Sequence, residues 1–386
     1  MESEILVGQL RRIGPGSIPS VIWILLFAVN ALPWLLFSYY DFISLDDHYM
    51  ARGGMLWGRD FSNQWLGGKL AFQGLNVYDH AAYQTAISSF GAQAFQNYSY
   101  PPHTLLLGAF FSLFHYPIAL ALWATVGSIL FYRAARTFVP FNPIFVLLVP
   151  AVARLPYGQF GLFSSAMFLF AMRGSGVAAG LLTMKPHLGI LLAAWMAVRR
   201  KWRQVIVAIL VTLCLLAAAE LAFGLGGAFL HEGLQTQALV LLQSGDAGYF
   251  DAMPSAFVAL RHSGLEWFGQ AAVAAAALAM LWRFRTAEAK DIAFPLATAT
   301  FIVLPYSFGY DMALVSVGFA VMLYGSWNRL SWIERGIAIA AFSAPNLIKT
   351  DLVPILLLAG LWVQLNLLKE GVSALANGNV AQPAAS

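Results

Sequence analysis

The stretch VIVAILVTLCLLAAAELAFG (205–224) decides the fold. It carries a single charge, Glu220, and shows no period-two polarity. A strand of a membrane barrel alternates apolar and polar residues, so this run reads as a helix long enough to cross a bilayer core. RRKWR (199–203) precedes it. A basic cluster beside a span marks its cytoplasmic end.

The rest of the chain repeats this pattern. The 386 residues are 60% hydrophobic and 10% charged, with a mean hydropathy of +0.70. Soluble domains carry about 25% charged residues, so a soluble domain is excluded. Apolar runs recur from Ile18 to Leu368 between short polar breaks. The net charge is only +4, gathered at Arg11-Arg12, 199–203, Arg283/Arg285/Lys290 and Arg329/Arg335. These clusters are short and close to spans, which suits cytoplasmic loops and excludes a nucleic-acid surface. One cysteine, Cys214, rules out an internal disulfide and reads as a packing residue. The first apolar run is too long for a signal peptide and lacks a cleavage site, so it is expected to remain as a span.

Charge and parity thread the second half. Spans are expected near 205–224, 267–282, 292–304 and 352–368, with a further return by Gly325, a short span after it, and a polar loop over 225–266. The first span, about 18–40, leads into an extracytoplasmic segment, 41–102. Six apolar blocks then lie between Pro102 and Arg199, several of only about 11–14 residues, short of the ~20 a span needs. Parity requires one to be re-entrant or two to merge. Broken helices survive in a bilayer where they line a protein cavity. The expected architecture is one integral-membrane domain, 1–370, with a disordered tail, 371–386. No internal repeat is evident, which weighs against an inverted-repeat transporter.

GRDFSNQWLGGKLAFQGLNVYD (58–79) interrupts the apolar sequence. Phe61, Trp65, Gly68 and Phe72 share one helical face, opposite Asn63, Gln64 and Lys69, which predicts an amphipathic helix at the membrane surface ending at Gly74. Asp60 stands just before it, as an N-cap or as a general base at a cavity mouth. Asp46, Asp47 and Asp79 compete for that role, and Asp46-Asp47-His48 forms a weak metal-ligand set.

Four further motifs carry polar groups. YSYPPHT (98–104) makes a rigid helix entry with His103. LPYGQFG (155–161) holds Gln159 between glycines. TMKPHLG (183–189) places Lys185 and His187 at a helix break, roughly 21 Å of helix from Arg199. A lysine there either snorkels or binds an anion. LPYSFGYDM (304–312) brings Tyr306, Tyr310 and Asp311 into a short outer loop. By parity Asp60, His103, Lys185, His187, Tyr310 and Asp311 fall on the face opposite the basic clusters, which suits a polar substrate carrying a phosphate. No P-loop, Rossmann glycine pattern, HExxH or GxSxG is present.

Taken in order, RDFSNQWLGGKLAFQGLNVYD, YSYPPHTLLL, YGQFG, AAGLLTMKPHLGILL before RRKW, and LPYSFGYDMAL resemble glycosyltransferase family 87. The resemblance implies an all-α, polytopic bundle of the GT-C type, with roughly 10–13 membrane segments, some short or re-entrant. It implies a multi-pass enzyme of the inner (plasma) membrane that transfers a hexose, mannose foremost, from a polyprenyl-phosphate sugar on the extracytoplasmic side. Inversion would use Asp60 as base, with Lys185, His187, Tyr310, Asp311, His103 and Gln159 around donor phosphate and sugar. It implies no cofactor and no fixed metal site, with divalent-metal dependence open, and a glycolipid or polysaccharide acceptor. Some members carry a histidine in the outer loop where this chain has Tyr310-Asp311. The alternative is a transporter or flippase of lipid-linked sugars, which would place polar groups near the bilayer midplane. A ligase or polymerase acting on O-antigen would need a late loop richer in Arg and His than 225–266, which has Arg261, His231 and His262.

Overall fold

Hydrocarbon offers no hydrogen-bond partners, so each backbone N–H and C=O within it must be paired inside the chain. The computed structural model meets this demand with helices throughout, apart from one short hairpin, Met50–Ala51 with Met55–Leu56. It describes residues 18–46, 49–51, 55–89, 97–152, 157–236, 250, 253–347 and 351–376. The Asp47-His48 pair lies outside the described residues.

Helices are numbered in chain order. They are α1 (Ser20–Ile43), α2 (Arg59–Phe72), α3 (His80–Ser89), α4 (Thr104–Ser112), α5 (Tyr116–Ala135), α6 (Gly161–Met172) and α7 (Gly176–Leu181). Then come α8 (Ile190–Val198), α9 (Trp202–Phe223), α10 (Glu266–Trp282), α11 (Ala289–Val303), α12 (Ala313–Ser326), α13 (Trp332–Phe342) and α14 (Val353–Ala376). The polytopic all-α bundle is thus observed. Among the described residues α1, α5, α9 and the Val353–Glu370 part of α14 are each long and apolar enough to cross a membrane alone. Gly161–Met172, Pro186–Val198 and Ala313–Ser326 are apolar but shorter. Helix α14 runs on to Ala376, into the region expected to be a disordered tail.

The decisive run forms α9, a lipid-facing wall: only 6% of its most apolar window is buried inside the protein. Its length, about 33 Å, matches a bilayer core. Lys201 begins it at the basic face, and Phe223 at its far end meets Phe72 of α2, ring centroids 5.7 Å apart. The basic face and the α2 layer therefore lie a membrane thickness apart.

The short blocks between Pro102 and Arg199 resolve into two devices. Helix α4 packs along α2 and adds to the layer opposite the basic face. Residues 176–198 form a hairpin: α7 rises from the basic face, two 3-10 turns (Leu182–Met184, Pro186–Gly189) break it around Lys185, and α8 descends to Arg199. Both feet line one cavity with the 199–204 turn, so this segment is re-entrant. Helix α6, about 18 Å long, runs from the apex level down to Arg173 on the same face.

Helix α2 departs from expectation in its faces. Gly74, at φ +77°, closes it as foreseen: Leu75 N–H bonds the Leu70 carbonyl and Gly74 N–H the Ala71 carbonyl, a Schellman end. Phe72 is exposed, as a lipid-facing residue would be, and Phe61 and Leu66 are fully buried and Trp65 nearly so, yet Gln64, expected on the polar face, is also buried. The cause is α4. A Cβ on Gly68 would stand 2.1 Å from the Gly108–Ala109 backbone, and one on Gly108 would stand 2.2 Å from the Gln64 carbonyl oxygen. The paired glycines let the two helices touch backbone to backbone, so α2 is enclosed by protein instead of floating on lipid.

Gly68→Ala should therefore destabilise the protein by about 1–3 kcal/mol through overpacking. Gly336→Ala, in α13 where a Cβ meets open space, should leave stability unchanged or raise it by about 0.5–1 kcal/mol. Thermal unfolding in detergent reads both.

Candidate active site

Three chain breaks meet at one level of the bundle: the entry to α2, the YGQFG turn before α6, and the 305–312 turn between α11 and α12. The first is fixed by Tyr116, whose hydroxyl donates to the carbonyl oxygens of Trp57 (2.5 Å) and Gly58 (3.3 Å). Gly58 occupies the N-cap position of α2 in a left-handed conformation, φ +75°. Asp60 accordingly sits two residues later than a cap, inside the first turn and half-buried. The partial positive charge of the helix start lies beside its carboxylate.

Two of the competing carboxylates, Asp46 and Asp79, are engaged in backbone capping. Asp46 Oδ1 accepts from the Met50 N–H at 2.8 Å, and Asp79 Oδ1 from the Ala82 N–H at 3.0 Å. Among the described residues no group of three or more His, Cys, Asp or Glu is placed to hold a metal.

The YGQFG turn joins the first break to the third. Gly158, at φ +68°, passes so close to α2 that a Cβ would stand 2.4 Å from that of Phe61. Gly161 passes equally close to the 305–312 turn: a Cβ would stand 2.7 Å from the Tyr310 carbonyl oxygen and 3.2 Å from Asp311 Oδ1. Three peptide units separate these contacts, at most about 11 Å of chain. The residue after Asp60 and the carboxylate of Asp311 are thus held by opposite ends of one turn. Gln159 is buried between them.

Lys185, at the hairpin apex, completes the cluster. Its Nζ lies 2.6 Å from both carboxylate oxygens of Asp311, with the two side chains 6% and 0% exposed. It also stands 5.1 Å from the centre of the Tyr310 ring, which stacks on Phe308 at 4.8 Å. Burial pushes the Asp311 carboxyl above its ordinary range, the Lys185 ammonium pulls it down, and the charge of Asp60 adds to the upward push. Two of the three ammonium donors point at Asp311, leaving one N–H.

The remaining expected residues divide. His187 is at the apex, its ring 5.9 Å from that of Tyr306, and its Nε2 is buried without a hydrogen-bond partner. His103 is turned toward the hairpin. Its Nε2 pairs with the Thr183 hydroxyl at 3.2 Å, and Thr104 Oγ1 donates to the Met184 carbonyl at 3.4 Å. These two links lash the Pro-Pro turn to the hairpin, so His103 positions the apex. Tyr116, Gly158 and Gly161 hold the candidate site together and are positions that the sequence reading misses. The HYP break (115–117) and the two glycines of YGQFG are the available signals.

A family model for glycosyltransferase family 87 matches residues 98–307, more than half of the chain. The chain belongs to glycosyltransferase family 87. No curated protein and no solved structure matches it significantly. The matched region of this family 87 glycosyltransferase contains His103, Gln159, Lys185 and His187; Asp60, Tyr310 and Asp311 flank it.

Removing one partner of the buried pair strands a charge. Lys185→Met alone should destabilise the family 87 protein by about 3–5 kcal/mol, whereas Lys185→Met with Asp311→Leu should recover most of that loss. A double-mutant cycle on thermal or denaturant unfolding measures the coupling.

Proposed function

We propose that this glycosyltransferase moves a hexose, mannose foremost, from a polyprenyl-phosphate sugar to an acceptor hydroxyl, with inversion, on the extracytoplasmic side. The observation that carries the reading is the meeting of Asp60, the Tyr310-Asp311 turn and Lys185 around the YGQFG turn. This cluster lies away from the basic face by about the length of α6.

Asp60 takes the proton of the acceptor hydroxyl as its oxygen attacks the anomeric carbon from the side opposite the phosphate. The anomeric C–O bond breaks as the new one forms, and the electron pair leaves with the polyprenyl phosphate. A phosphate is a stable anion, so it needs charge stabilisation more than a proton. The third N–H of Lys185 supplies this, with the other two held by Asp311. His187 stands beside Lys185 for a further phosphate or sugar contact, Tyr306 beside it offers a ring to the sugar, and Tyr310, stacked on Phe308, backs the Lys185 ammonium. The polyprenyl tail stays in the bilayer. A glycolipid or polysaccharide acceptor suits a membrane-embedded transferase with a lipid-linked donor. The family membership favours transfer over the transporter or flippase reading.

Two experiments test this reading. Asp60→Asn should lower transfer from polyprenyl-phosphate-mannose in membrane preparations by about 100- to 10,000-fold, with folding retained by size exclusion and thermal unfolding. Near-normal activity in that variant removes Asp60 from the mechanism. Sidedness is read by an impermeant maleimide on intact cells in a Cys214→Ser background. A cysteine at Gln73 should label from outside, and one at Arg285 only after lysis.

A further inference from the structure

On the basic face, a membrane thickness from α2, lies a cavity of about 750 Å³. It opens between the α6–α7 turn, the feet of the 176–198 hairpin, the start of α9 and the start of α11. Five cationic side chains line it, Arg173, Arg199, Arg200, Lys201 and Arg203, against one carboxylate, Glu288. Arg199 takes up that carboxylate: its guanidinium pairs with Glu288 at 3.2 Å and donates to the Thr286 carbonyl at 2.8 Å, while its Nε is sealed off without an acceptor. The site therefore carries a strong excess of positive charge around an open, concave volume. A topogenic charge cluster needs no such concavity.

Two features narrow the ligand. Arg200 adopts φ +53°, a left-handed conformation that costs a side-chain-bearing residue about 1–2 kcal/mol, in the tight turn between α8 and α9. Its N–H bonds the Ala197 carbonyl and that of Lys201 the Met196 carbonyl, a Schellman end that gathers the cationic side chains of 199–203 into one short turn at the cavity. The wall is also amphipathic. Val177 and Val207 line the cavity beside the cations, Trp202 at its rim is 55% exposed, and α9 rises from it as a lipid-facing helix. Tryptophan at that height is an interfacial residue. A soluble anion has no use for an apolar wall that continues into lipid.

The geometry points to a binding site for the phosphate headgroup of an anionic membrane lipid, its acyl chains lying against α9. The site is separate from the proposed transfer centre and does not rest on the sugar or donor assigned there. Arg200, Lys201 and Arg203 hold the phosphate. Arg199, fixed by Glu288, braces the floor and joins the hairpin foot to the start of α11.

The test uses the full chain purified in neutral detergent, with binding read by native mass spectrometry and by the shift in unfolding temperature. Phosphatidylglycerol, phosphatidylcholine and inorganic phosphate are the probes. Phosphatidylglycerol should give a saturable single-lipid adduct that weakens as salt rises. Arg200→Gln, Lys201→Gln and Arg203→Gln should each weaken it about fivefold and together about 100-fold, while Arg200→Lys retains it. The single variants carry the test if the triple variant folds poorly. Arg283→Gln with Arg285→Gln, on the same face outside the cavity, should change affinity less than about twofold. The proposal is overturned if phosphatidylcholine binds as tightly, if the Arg283/Arg285 variant loses as much as the triple one, or if inorganic phosphate alone protects as well as the lipid.

Discussion

The ion pair between Lys185 and Asp311 is the constraint on which the site depends. Each member comes from a segment that breaks its helix: Lys185 from the apex of the 176–198 hairpin, Asp311 from the turn between α11 and α12. Neither break would survive facing lipid, where free backbone groups and charges are both costly. Brought together they cancel one charge with another, and the apolar shell of α6, α11 and α12 closes around them. Burying the pair gains little stability by itself, because desolvation offsets most of the attraction. Its value is to fix which hairpin apex meets which turn.

The spans are legible in the sequence because the bilayer sets their length and their ends. The expected limits at 205–224, 267–282, 292–304 and the start of the last span fall within a few residues of α9, α10, α11 and α14. Counting helical rise places Lys185 correctly away from Arg199. Its partner is not legible: Asp311 is 126 positions away, and no local pattern encodes such a pairing. Sequence spacing offers a snorkelling lysine or an anion site, and the structure adds a carboxylate that takes up two of its three donors.

Helix α2 shows a second limit. Its length and its glycine end follow from local rules, since a Schellman end needs only its own residues. Its buried face does not. A helical wheel puts Gln64 toward water and Phe72 toward lipid, on the assumption of one apolar environment and one polar one. The touching glycines 68 and 108 bring α4 over the polar side and turn it inward. Spacing misplaces Asp60 by two positions for a related reason. Gly58 can adopt the left-handed conformation that starts the helix there, so the aspartate is carried into the first turn.

The family match takes in Lys185 but neither carboxylate of the proposed site, and the glycine contacts explain how both parts belong to one device. Residues 98–307 include the hairpin, the YGQFG turn and the Pro-Pro turn, yet both Asp60 and Asp311 lie outside them. What lies inside is the framework that aims them. Gly158 admits Phe61, and with it the start of α2; Gly161 admits the Asp311 turn; His103 and Thr104 hold the apex that presents Lys185. A side chain at either glycine would push one carboxylate away from the other without touching a reacting group. Displacements of about 1 Å are costly to chemistry that depends on alignment. The scaffold is therefore as much a part of the proposed site as the charged groups it holds, although none of those glycines carries a functional atom of its own.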